Sequence, residues 1–372
     1  MNPIAPSPVA FVNLADYEAR AREVLPPAHW AFLDGHAANG STHRHNSAAW
    51  DALKLLPRPL KALAGGHTRQ TLLGRPCAHP ILLAPVALHA LAHPDAEFGV
   101  ACAAAAQQAG MVLSTQASTD LETVAQAFRQ ADDRGPLWMQ LYLQPDRGFT
   151  HALVQRAEQA GFEALVLTVD APVHGVRDGE RRTGFQPPEG ISAVNLAGMQ
   201  RPPTKALQPH ESPLFDALLY HAPTWDDLVW LQQHTRLPIV LKGILHPDDA
   251  VRAQALGAAG VIVSNHGGRT LDTAVSTAWA LPRVVDAVGP DWPVLVDGGI
   301  RRGTDVLKAL ALGAHAVLIG RPYIHGLAAA GAQGVAHVIR LLRDELEIAM
   351  ALTGCRTLAD IQRDLLIGTP QA

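Results

Sequence analysis

The chain has 372 residues, of which 48% are hydrophobic and 17% charged, and its formal net charge is −4. This apolar content excludes a disordered chain, and a small negative charge without a basic run gives no support for nucleic-acid binding. No run of about 18 apolar residues predicts a membrane span, and the first residues lack the basic and apolar segments of a signal peptide.

The three cysteines are Cys77, Cys102 and Cys355. Their odd number and wide spacing predict neither a disulfide framework nor a metal site. We therefore expect a cytoplasmic protein without a bound metal.

Residues 1–75 are expected to form an N-terminal cap. Helical stretches at 14–24 and 29–33 are separated by Pro26 and Pro27, and a polar, glycine-containing segment follows at 34–46.

From residue 81 a regular alternation begins. Short apolar runs that predict strands occupy 81–84, 111–114, 137–141, 164–169, 238–241, 260–263, 293–296 and 316–319. Between most of them lie alanine-rich helical stretches that close at a glycine, namely Gly110, Gly161, Gly257 and Gly313. Eight buried strands alternating with helices predict a parallel (β/α)8 TIM barrel. A doubly wound sheet is the alternative, but eight evenly repeated units favour closure.

One interval breaks this alternation. Residues 171–223, after the fourth strand, are rich in Pro, Gly and Arg, and such an excursion is usually a lid or a binding loop. We expect a single domain over 1–372, with the cap and this loop as parts of it.

Chemistry in a barrel of this kind collects where the strands end. The polar residues at those ends are Ser114, Gln140, Tyr142, Thr168, Asp170, Lys242, His266, Arg269, Asp297, Arg301 and Arg321. His266 can take a proton near neutral pH, Arg269 can grip a carboxylate, and Asp170 would orient the imidazole. Structural explanations are also open: a solvated turn for His266 and Arg269, and simple packing for Tyr142. Asp170 could cap the following turn, Lys242 could reach solvent, and Arg301 could be a surface charge.

The segments around Gly299/Arg301 and Gly320/Arg321 follow strands seven and eight, the usual phosphate-binding position of such barrels. A phosphorylated ligand is therefore expected. Neither a Walker motif nor a GxGxxG fingerprint is present, which disfavours ATP or NAD bound by those routes.

Several segments together resemble the FMN-dependent L-α-hydroxy acid oxidases and dehydrogenases. They are Gln140-Leu-Tyr142, Leu167-Thr-Val-Asp-Ala-Pro172, Ser264-Asn-His-Gly-Gly-Arg269, Asp297-Gly-Gly-Ile-Arg-Arg-Gly-Thr-Asp305 and Lys308-Ala-Leu-Ala-Leu-Gly-Ala314. The resemblance covers nearly the whole chain, and it implies FMN as cofactor and a 2-hydroxy acid as substrate.

The resemblance also implies a role for each site residue. His266 would be the base, with Asp170 supporting it. Arg269 and Arg177 would bind the substrate carboxylate, Tyr142 would contact the substrate hydroxyl, and Lys242 would lie beside the flavin. The remaining FMN contacts implied are Ala84, Pro85, Val86, Ala87, Ser114, Gln140, Thr168, Ser264, Asp297, Gly299, Arg301, Gly320 and Arg321.

Two positions depart from the family pattern. Phe32 occupies a place in the cap where the family commonly has a tyrosine that binds the substrate carboxylate. Gln116 stands where glycolate oxidase has a tryptophan, so an aromatic or larger 2-hydroxy acid is a plausible substrate.

The favoured function is oxidation of an L-2-hydroxy acid, with O2 reoxidising the flavin to give H2O2. Alternatives are a dehydrogenase that passes electrons to a quinone or carrier protein, and a catalytically silent flavin-binding protein, suggested by Phe32. A flavin-independent barrel aldolase or isomerase is a further possibility, and it predicts a colourless protein. The resemblance also implies a homotetramer.

Overall fold

The computed structural model describes residues 11–200 and 207–368. The expectations about the first residues of the chain therefore fall largely outside the described residues. Treating 1–75 as the cap of one domain that spans 1–372 stays a prediction.

A closed barrel of parallel strands forms the centre of the described structure, which confirms the predicted TIM barrel. Its strands, in chain order, are β4 (Ile81–Leu83), β5 (Gly110–Leu113), β6 (Leu137–Leu141), β7 (Ala164–Thr168), β8 (Ile239–Ile244), β9 (Gly260–Val263), β10 (Val294–Val296) and β11 (Ala316–Ile319). Each pairs with the next strand in sequence, and β11 pairs with β4 to close the ring.

Each barrel strand is buried on both faces, so apolar side chains point both into the barrel and toward the surrounding helices. Alternate side chains enter two separate clusters. Leu82, Val112 and Leu295 belong to a small cluster inside the barrel, whereas Ile81 and Leu83 belong to the larger one that packs against the surrounding helices. This two-sided burial explains why each strand appears in the sequence as an uninterrupted apolar run.

Helices fill the outer layer between the strands. They are α4 (Ala96–Ala106), α5 (Leu121–Phe128), α6 (Arg147–Ala160), α8 (Trp225–Gln233), α9 (Pro247–Ala255), α10 (Thr277–Val288), α11 (Gly303–Ala311) and α12 (Arg321–Thr353), which is broken at Ala330 and Gly331.

Three of the four predicted helix-closing glycines take positive φ: Gly161, Gly257 and Gly313. The prediction for Gly110 is wrong. Gln108 adopts the left-handed conformation there (φ 59°), and Gly110 instead begins β5. A Cβ at Gly110 would lie 2.6 Å from Leu82 Cγ, so close packing between neighbouring strands requires this glycine.

The cap contains α1 (Leu14–Val24), α2 (Pro27–Leu33) and α3 (Ser41–Ala52). Asn13 and Asp16 form a reciprocal capping box that starts α1. The prediction of a polar segment through 34–46 missed the start of α3, because its first turns carry few apolar residues at helical spacing.

Short strands were also missed in the sequence. The strands β2 (Gln70–Leu72) and β3 (Arg75–Cys77) form a hairpin, and Leu72 and Cys77 join the inner barrel cluster. The strand β1 (Lys54–Leu55) pairs with β12 (Leu366–Ile367) near the end of the chain. Two or three residues are too few to show a periodic pattern.

The long interval after β7 contains the short helix α7 (Asp178–Thr183) and single turns at Val194–Leu196, Pro213–Ala217 and Leu218–His221. Residues 201–206 of the predicted loop lie outside the described residues. Among the described helices, none is both long and apolar enough to cross a bilayer.

Candidate active site

A cavity of about 430 Å³ opens at the carboxyl ends of the barrel strands, within the size range of ligand pockets. Most residues predicted for the site line it: Phe32, Ala84, Pro85, Val86, Ala87, Ser114, Gln140, Tyr142, Thr168, Arg177, Lys242, His266, Arg269, Asp297, Gly299, Arg301, Gly320 and Arg321. Asp170 and Ser264 do not line the cavity wall, and each holds a residue that does. The structure therefore brings the predicted cluster together.

His266 and Asp170 form a hydrogen-bonded pair. His266 Nδ1 lies 2.9 Å from Asp170 Oδ1, and both side chains are largely buried. In the neutral ring, Nδ1–H donates this hydrogen bond to the carboxylate. The lone pair is then on Nε2, at the opposite side of the ring. This is the orientation that a general base requires.

The backbone of His266 is strained to place this ring. Its φ is +56°, a left-handed conformation unusual for a residue with a side chain, and its N–H donates to Ser264 Oγ at 3.0 Å. Gly267 and Gly268 continue with positive φ. A Cβ at Gly268 would lie 2.6 Å from the backbone nitrogen of His43, so the cap approaches this loop too closely for any other residue.

The electrostatics favour a neutral imidazole and an ionised carboxylate. Burial lowers the pKa of His266, and Lys242 lowers it further, while Asp170 opposes both. For Asp170, burial acts to raise the pKa, but His266 and Lys242 together bring it below its ordinary value. At neutral pH the pair is thus a base held by a charged partner.

Lys242 is a buried cation, only 3% exposed. Contrary to the prediction that it ends the fifth barrel strand, it lies inside β8, which continues through an irregularity to Ile244. Its Nζ donates to Ser264 Oγ at 2.9 Å and lies 3.2 Å from Asp297 Oδ2. Burial acts to lower the pKa of Lys242, but Asp297 and Asp170 raise it overall, so the ammonium stays charged.

Polar side chains at the ends of β5, β6 and β7 form a connected row. Ser114 Oγ donates to Gln140 Oε1 at 3.4 Å, and Gln140 Nε2 donates to Thr168 Oγ1 at 3.1 Å. These residues were predicted to contact an isoalloxazine. All three are buried at the cavity wall, which fixes their rotamers before any ligand binds.

Arg269 is held by the cap. Its guanidinium donates to the backbone carbonyls of Phe32, Leu33 and Gly35 at 2.6, 3.3 and 2.7 Å. These carbonyls lie at the C-terminal end of α2, where helix carbonyls lack intrahelical partners. Burial, then Arg177 and Arg321, lower the pKa of Arg269 to about 9, which leaves it cationic at neutral pH.

Glu180 was missed in the sequence. Its Oε1 lies 3.0 Å from Arg177 Nη1 and 3.9 Å from Arg269 Nη2, so one carboxylate joins the two predicted substrate-binding arginines. A carboxylate within a loop helix gives no sequence signal for such a role. Its position depends on how the long loop folds back onto the cap.

Arg301 and Arg321 line the cavity, but protein carbonyls already occupy several of their donors. Arg321 donates to Asp34, Gly267 and Gly35 carbonyls at 3.0, 3.0 and 2.8 Å, and its Nε lies 3.4 Å from Asp34 Oδ1. Arg321 therefore also joins the cap to the strand ends. Phosphate binding by these arginines stays a prediction.

The glycines near the predicted phosphate site differ in what they permit. Gly299 has φ +83°, and a Cβ there would lie 2.5 Å from the carbonyl oxygen of Asn46 in α3. At Gly320 the nearest atoms to a Cβ are 3.9 Å away. Of these two glycines, Gly299 is therefore the one that packing requires, and the contact that requires it comes from the cap.

The remaining wall of the cavity is mixed in character. Tyr142 lines it, and burial raises the pKa of the Tyr142 hydroxyl. The Phe32 ring stacks on Phe185 with 4.5 Å between centroids. Gln116, Leu196 and Leu218 also line the cavity, the last two from the long loop after β7.

A closed barrel whose rim brings together a neutral, oriented histidine, two arginines and a buried lysine is typical of an enzyme that acts on a small organic acid beside a bound cofactor. The chain belongs to the family of FMN-dependent dehydrogenases, whose model matches residues 21–368. The resemblance drawn from the sequence, and FMN as the cofactor, are confirmed.

Individual relatives agree with this assignment. The chain is 49% identical to an L-lactate oxidase from Roseobacter sp. (strain GAI101), over 96% of this chain and 95% of that protein. It is 42% identical to 2-hydroxyacid oxidase 2 from Mus musculus, over 96% and 99%. Among solved structures, mandelate oxidase with (S)-2-phenylpropionate matches with a TM-score of 0.86 and 40% identity, covering 98% of this chain and all of that one.

The residues present fit FMN. Asp297 Oδ1 is buried and has no hydrogen-bond partner among the described residues, so it can accept from a ribityl hydroxyl. Lys242 supplies a buried positive charge, and the row from Ser114 to Thr168 supplies donors and acceptors for a polar ring edge. Arg301 and Arg321 line the same cavity, and their positive charges suit a phosphate.

Proposed function

We propose that this protein is an FMN-dependent oxidase of L-2-hydroxy acids, with His266 as the active-site base. The observation that supports this most strongly is the His266–Asp170 pair. The imidazole of His266 is neutral and is oriented by the Asp170 carboxylate at 2.9 Å. It lines a cavity that Arg269 and Arg177 also line. A carboxylate-binding group and a base within one cavity suit a small hydroxy acid.

Arg269 retains donors for the substrate carboxylate. A guanidinium has five N–H groups, and three are used on cap carbonyls through Nη1 and Nη2. Within the described part of the chain, the Nε–H and one Nη2–H have no hydrogen-bond acceptor, and these two donors can bind a carboxylate with two parallel hydrogen bonds. Arg177 Nε donates to the Arg269 backbone carbonyl at 3.3 Å, so Arg177 supplies a second positive charge nearby.

His266 Nε2 accepts the proton that the substrate loses, and Asp170 stabilises the resulting imidazolium through Nδ1–H. Bound FMN would supply the two-electron chemistry by which the hydroxy acid is oxidised to the 2-oxo acid, with O2 as the final oxidant. Lys242 holds a positive charge where negative charge increases in that step. Tyr142 hydrogen-bonds the substrate oxygen.

The reaction consumes one L-2-hydroxy acid and one O2, and it yields one 2-oxo acid and one H2O2. Oxygen as the acceptor is supported by relatives named as oxidases at 40–49% identity over 95% or more of the chain. Three of these relatives, at 46–49%, are named L-lactate oxidases, so we propose L-lactate as the first substrate. Gln116, which lines the cavity in place of a tryptophan, supports larger acids as further substrates.

We further propose a cytoplasmic homotetramer with the 171–223 loop as a lid. The three cysteines are free in the structure, which suits a reducing compartment. Leu196 and Leu218 extend from the loop to the cavity, which suits a lid.

A steady-state assay in air tests this function. Purified yellow protein is mixed with a panel of L- and D-2-hydroxy acids, and 2-oxo acid and H2O2 are measured together. We expect equal amounts of both products from at least one L-acid and none from its D-enantiomer. Turnover that needs an added quinone dye and yields little H2O2 would instead support the dehydrogenase, and a colourless protein would refute the flavin assignment.

A further inference from the structure

The segment that leaves β4 forms part of the cavity wall. Ala84, Pro85, Val86 and Ala87 all line the cavity. Pro85 has no N–H, and the backbone N–H groups of Val86 and Ala87 have no acceptor among the described residues. Free backbone donors in the wall of a ligand cavity are available to the ligand, and under the proposed function that ligand is FMN.

This segment is fixed at both ends. Ala84 N–H donates to the Ile319 carbonyl at 2.8 Å, and Leu88 N–H donates to the Gln116 carbonyl at 3.1 Å. Leu88 takes a left-handed conformation with φ +54°. A side-chain-bearing residue keeps such a conformation only where its surroundings enforce it.

Tyr323, in the first turn of α12, provides part of that enforcement. It is 1% exposed, and its hydroxyl donates to the Ala84 carbonyl at 2.8 Å. His89 Nε2 lies 3.1 Å from the same hydroxyl. Because the tyrosine proton is used on Ala84, His89 must donate through Nε2–H. Its Nδ1 is buried and has no hydrogen-bond partner among the described residues.

Glu97 completes the network beneath the segment. This carboxylate is fully buried and accepts from His89 N–H, Ser118 N–H, Ser118 Oγ and Thr119 Oγ1 at 3.0, 2.9, 2.7 and 2.8 Å. A buried charge with four donors is rigidly placed. None of Tyr323, His89 and Glu97 lines the cavity, yet together they hold the segment that does.

We propose that Tyr323 and His89 are positioning residues that aim the free N–H groups of Val86 and Ala87 at the bound FMN, and so set its affinity and midpoint potential. This inference rests on FMN binding in the cavity. The two N–H dipoles favour negative charge near the flavin, and a loosened segment would align them less well.

The variant Tyr323→Phe tests this inference. It removes the donor to Ala84 and the acceptor of His89, with little change in volume. We expect FMN to dissociate about tenfold more readily, as for one lost hydrogen bond, and a more negative midpoint potential. Dissociation is followed by free-flavin fluorescence on dilution of the holoenzyme, and the potential by equilibration with reference dyes.

The matched control is Tyr17→Phe. Tyr17 is also a buried residue, and its hydroxyl lies 2.7 Å from His337 Nδ1. It does not line the cavity, and it packs α1 on α12. We expect this variant to lower thermal stability without changing FMN affinity or potential. His89→Gln, which retains a donor for Tyr323, should behave like the wild type, and His89→Leu like Tyr323→Phe.

Equal effects of Tyr323→Phe and Tyr17→Phe on FMN affinity and potential would overturn the inference and assign Tyr323 a structural role only. That result differs from a failure of the proposed function, in which the wild-type protein itself would bind no FMN.

Discussion

His266 has the two properties that a base needs, an oriented ring and a neutral one. Asp170 supplies the orientation through the bond at Nδ1, and burial supplies the neutrality by lowering the pKa. Both properties depend on neighbours that lie far apart in the sequence. The residue types could therefore be predicted from the strand ends, but the protonation state could not.

This neutrality predicts an acidic limb in the pH profile. The pKa of His266 lies below its ordinary value of 6.5, so the base stays deprotonated until the pH falls below 6.5. Activity is then lost as the pH falls through the folded pKa, because the protonated ring cannot accept a proton. We expect kcat/KM for the substrate to decline with unit slope and a midpoint below pH 6.5. A midpoint above 6.5 would contradict the assignment.

The variant Asp170→Asn is the companion measurement. Asp170 raises the pKa of His266 against the effect of burial, so its removal should move the acidic limb to still lower pH. At the same time kcat should fall, because the ring loses its orienting partner.

Phe32 is the other residue for which a single change is informative. The ring lines the cavity close to Arg269, whose guanidinium carbon lies 6.0 Å from the ring centroid. We expect Phe32→Tyr to lower KM for the substrate about tenfold with little change in kcat, because a hydrogen bond to a charged group is worth about 1.5–3 kcal/mol. Phe185→Tyr is the control, since Phe185 stacks on Phe32 but does not line the cavity. An unchanged KM in Phe32→Tyr would show that its hydroxyl does not reach the carboxylate.

At the level of elements, side chains of the barrel rim that face the cavity also hold the cap. Arg269 and Arg321 take the carbonyls of Phe32 through Gly35 at the end of α2, and Gly299 packs directly on α3. The cap is thus joined to the site through groups that the sequence indicated only as ligand contacts. A pattern of residue types at strand ends cannot show which donors the protein itself will occupy.

The variant Gly299→Ala tests this junction. Its Cβ would lie 2.5 Å from the Asn46 carbonyl oxygen in addition to the strain of φ +83°. Gly74→Ala is the matched control, because Gly74 has φ +80° but nothing within 4 Å of its Cβ position. We expect both to lose about 1–3 kcal/mol from backbone strain. Gly299→Ala should lose at least about 1 kcal/mol more in urea unfolding, from the clash with α3. Equal losses of unfolding free energy in the two variants would mean that α3 shifts away from the new Cβ without destabilising the protein.

At the scale of the whole molecule, the sequence was sufficient to predict the barrel. Strands buried on both faces leave apolar runs that stand out, and glycines such as Gly161 mark where helices stop. The elements that escaped prediction have weaker patterns. The buried residues in the first turns of α3 are the polar Thr42 and Asn46, and its buried apolar residues, Ala49 and Trp50, lie near its end. Strands such as β1 and β12 are two residues long.

The same contrast applies to the site. Residues at the strand ends were predictable because the barrel topology gathers them, and Tyr142 and Thr168 from those ends do line the cavity. Glu180 and the network of Tyr323, His89 and Glu97 were not predictable, since each acts through contacts between segments that only the folded chain brings together.

Anaerobic reduction of the bound flavin by L-lactate or another L-2-hydroxy acid tests whether His266 is the base that starts the reaction. Wild-type protein and His266→Gln are mixed with the acid in a stopped-flow instrument, and the loss of oxidised-flavin absorbance is followed. We predict rapid bleaching of the wild type. His266→Gln should be yellow and folded, but its flavin reduction should be about 10²–10⁴-fold slower because the base is missing. Equal rates in the two proteins, or no bleaching of the wild type by any L-acid, would contradict the account.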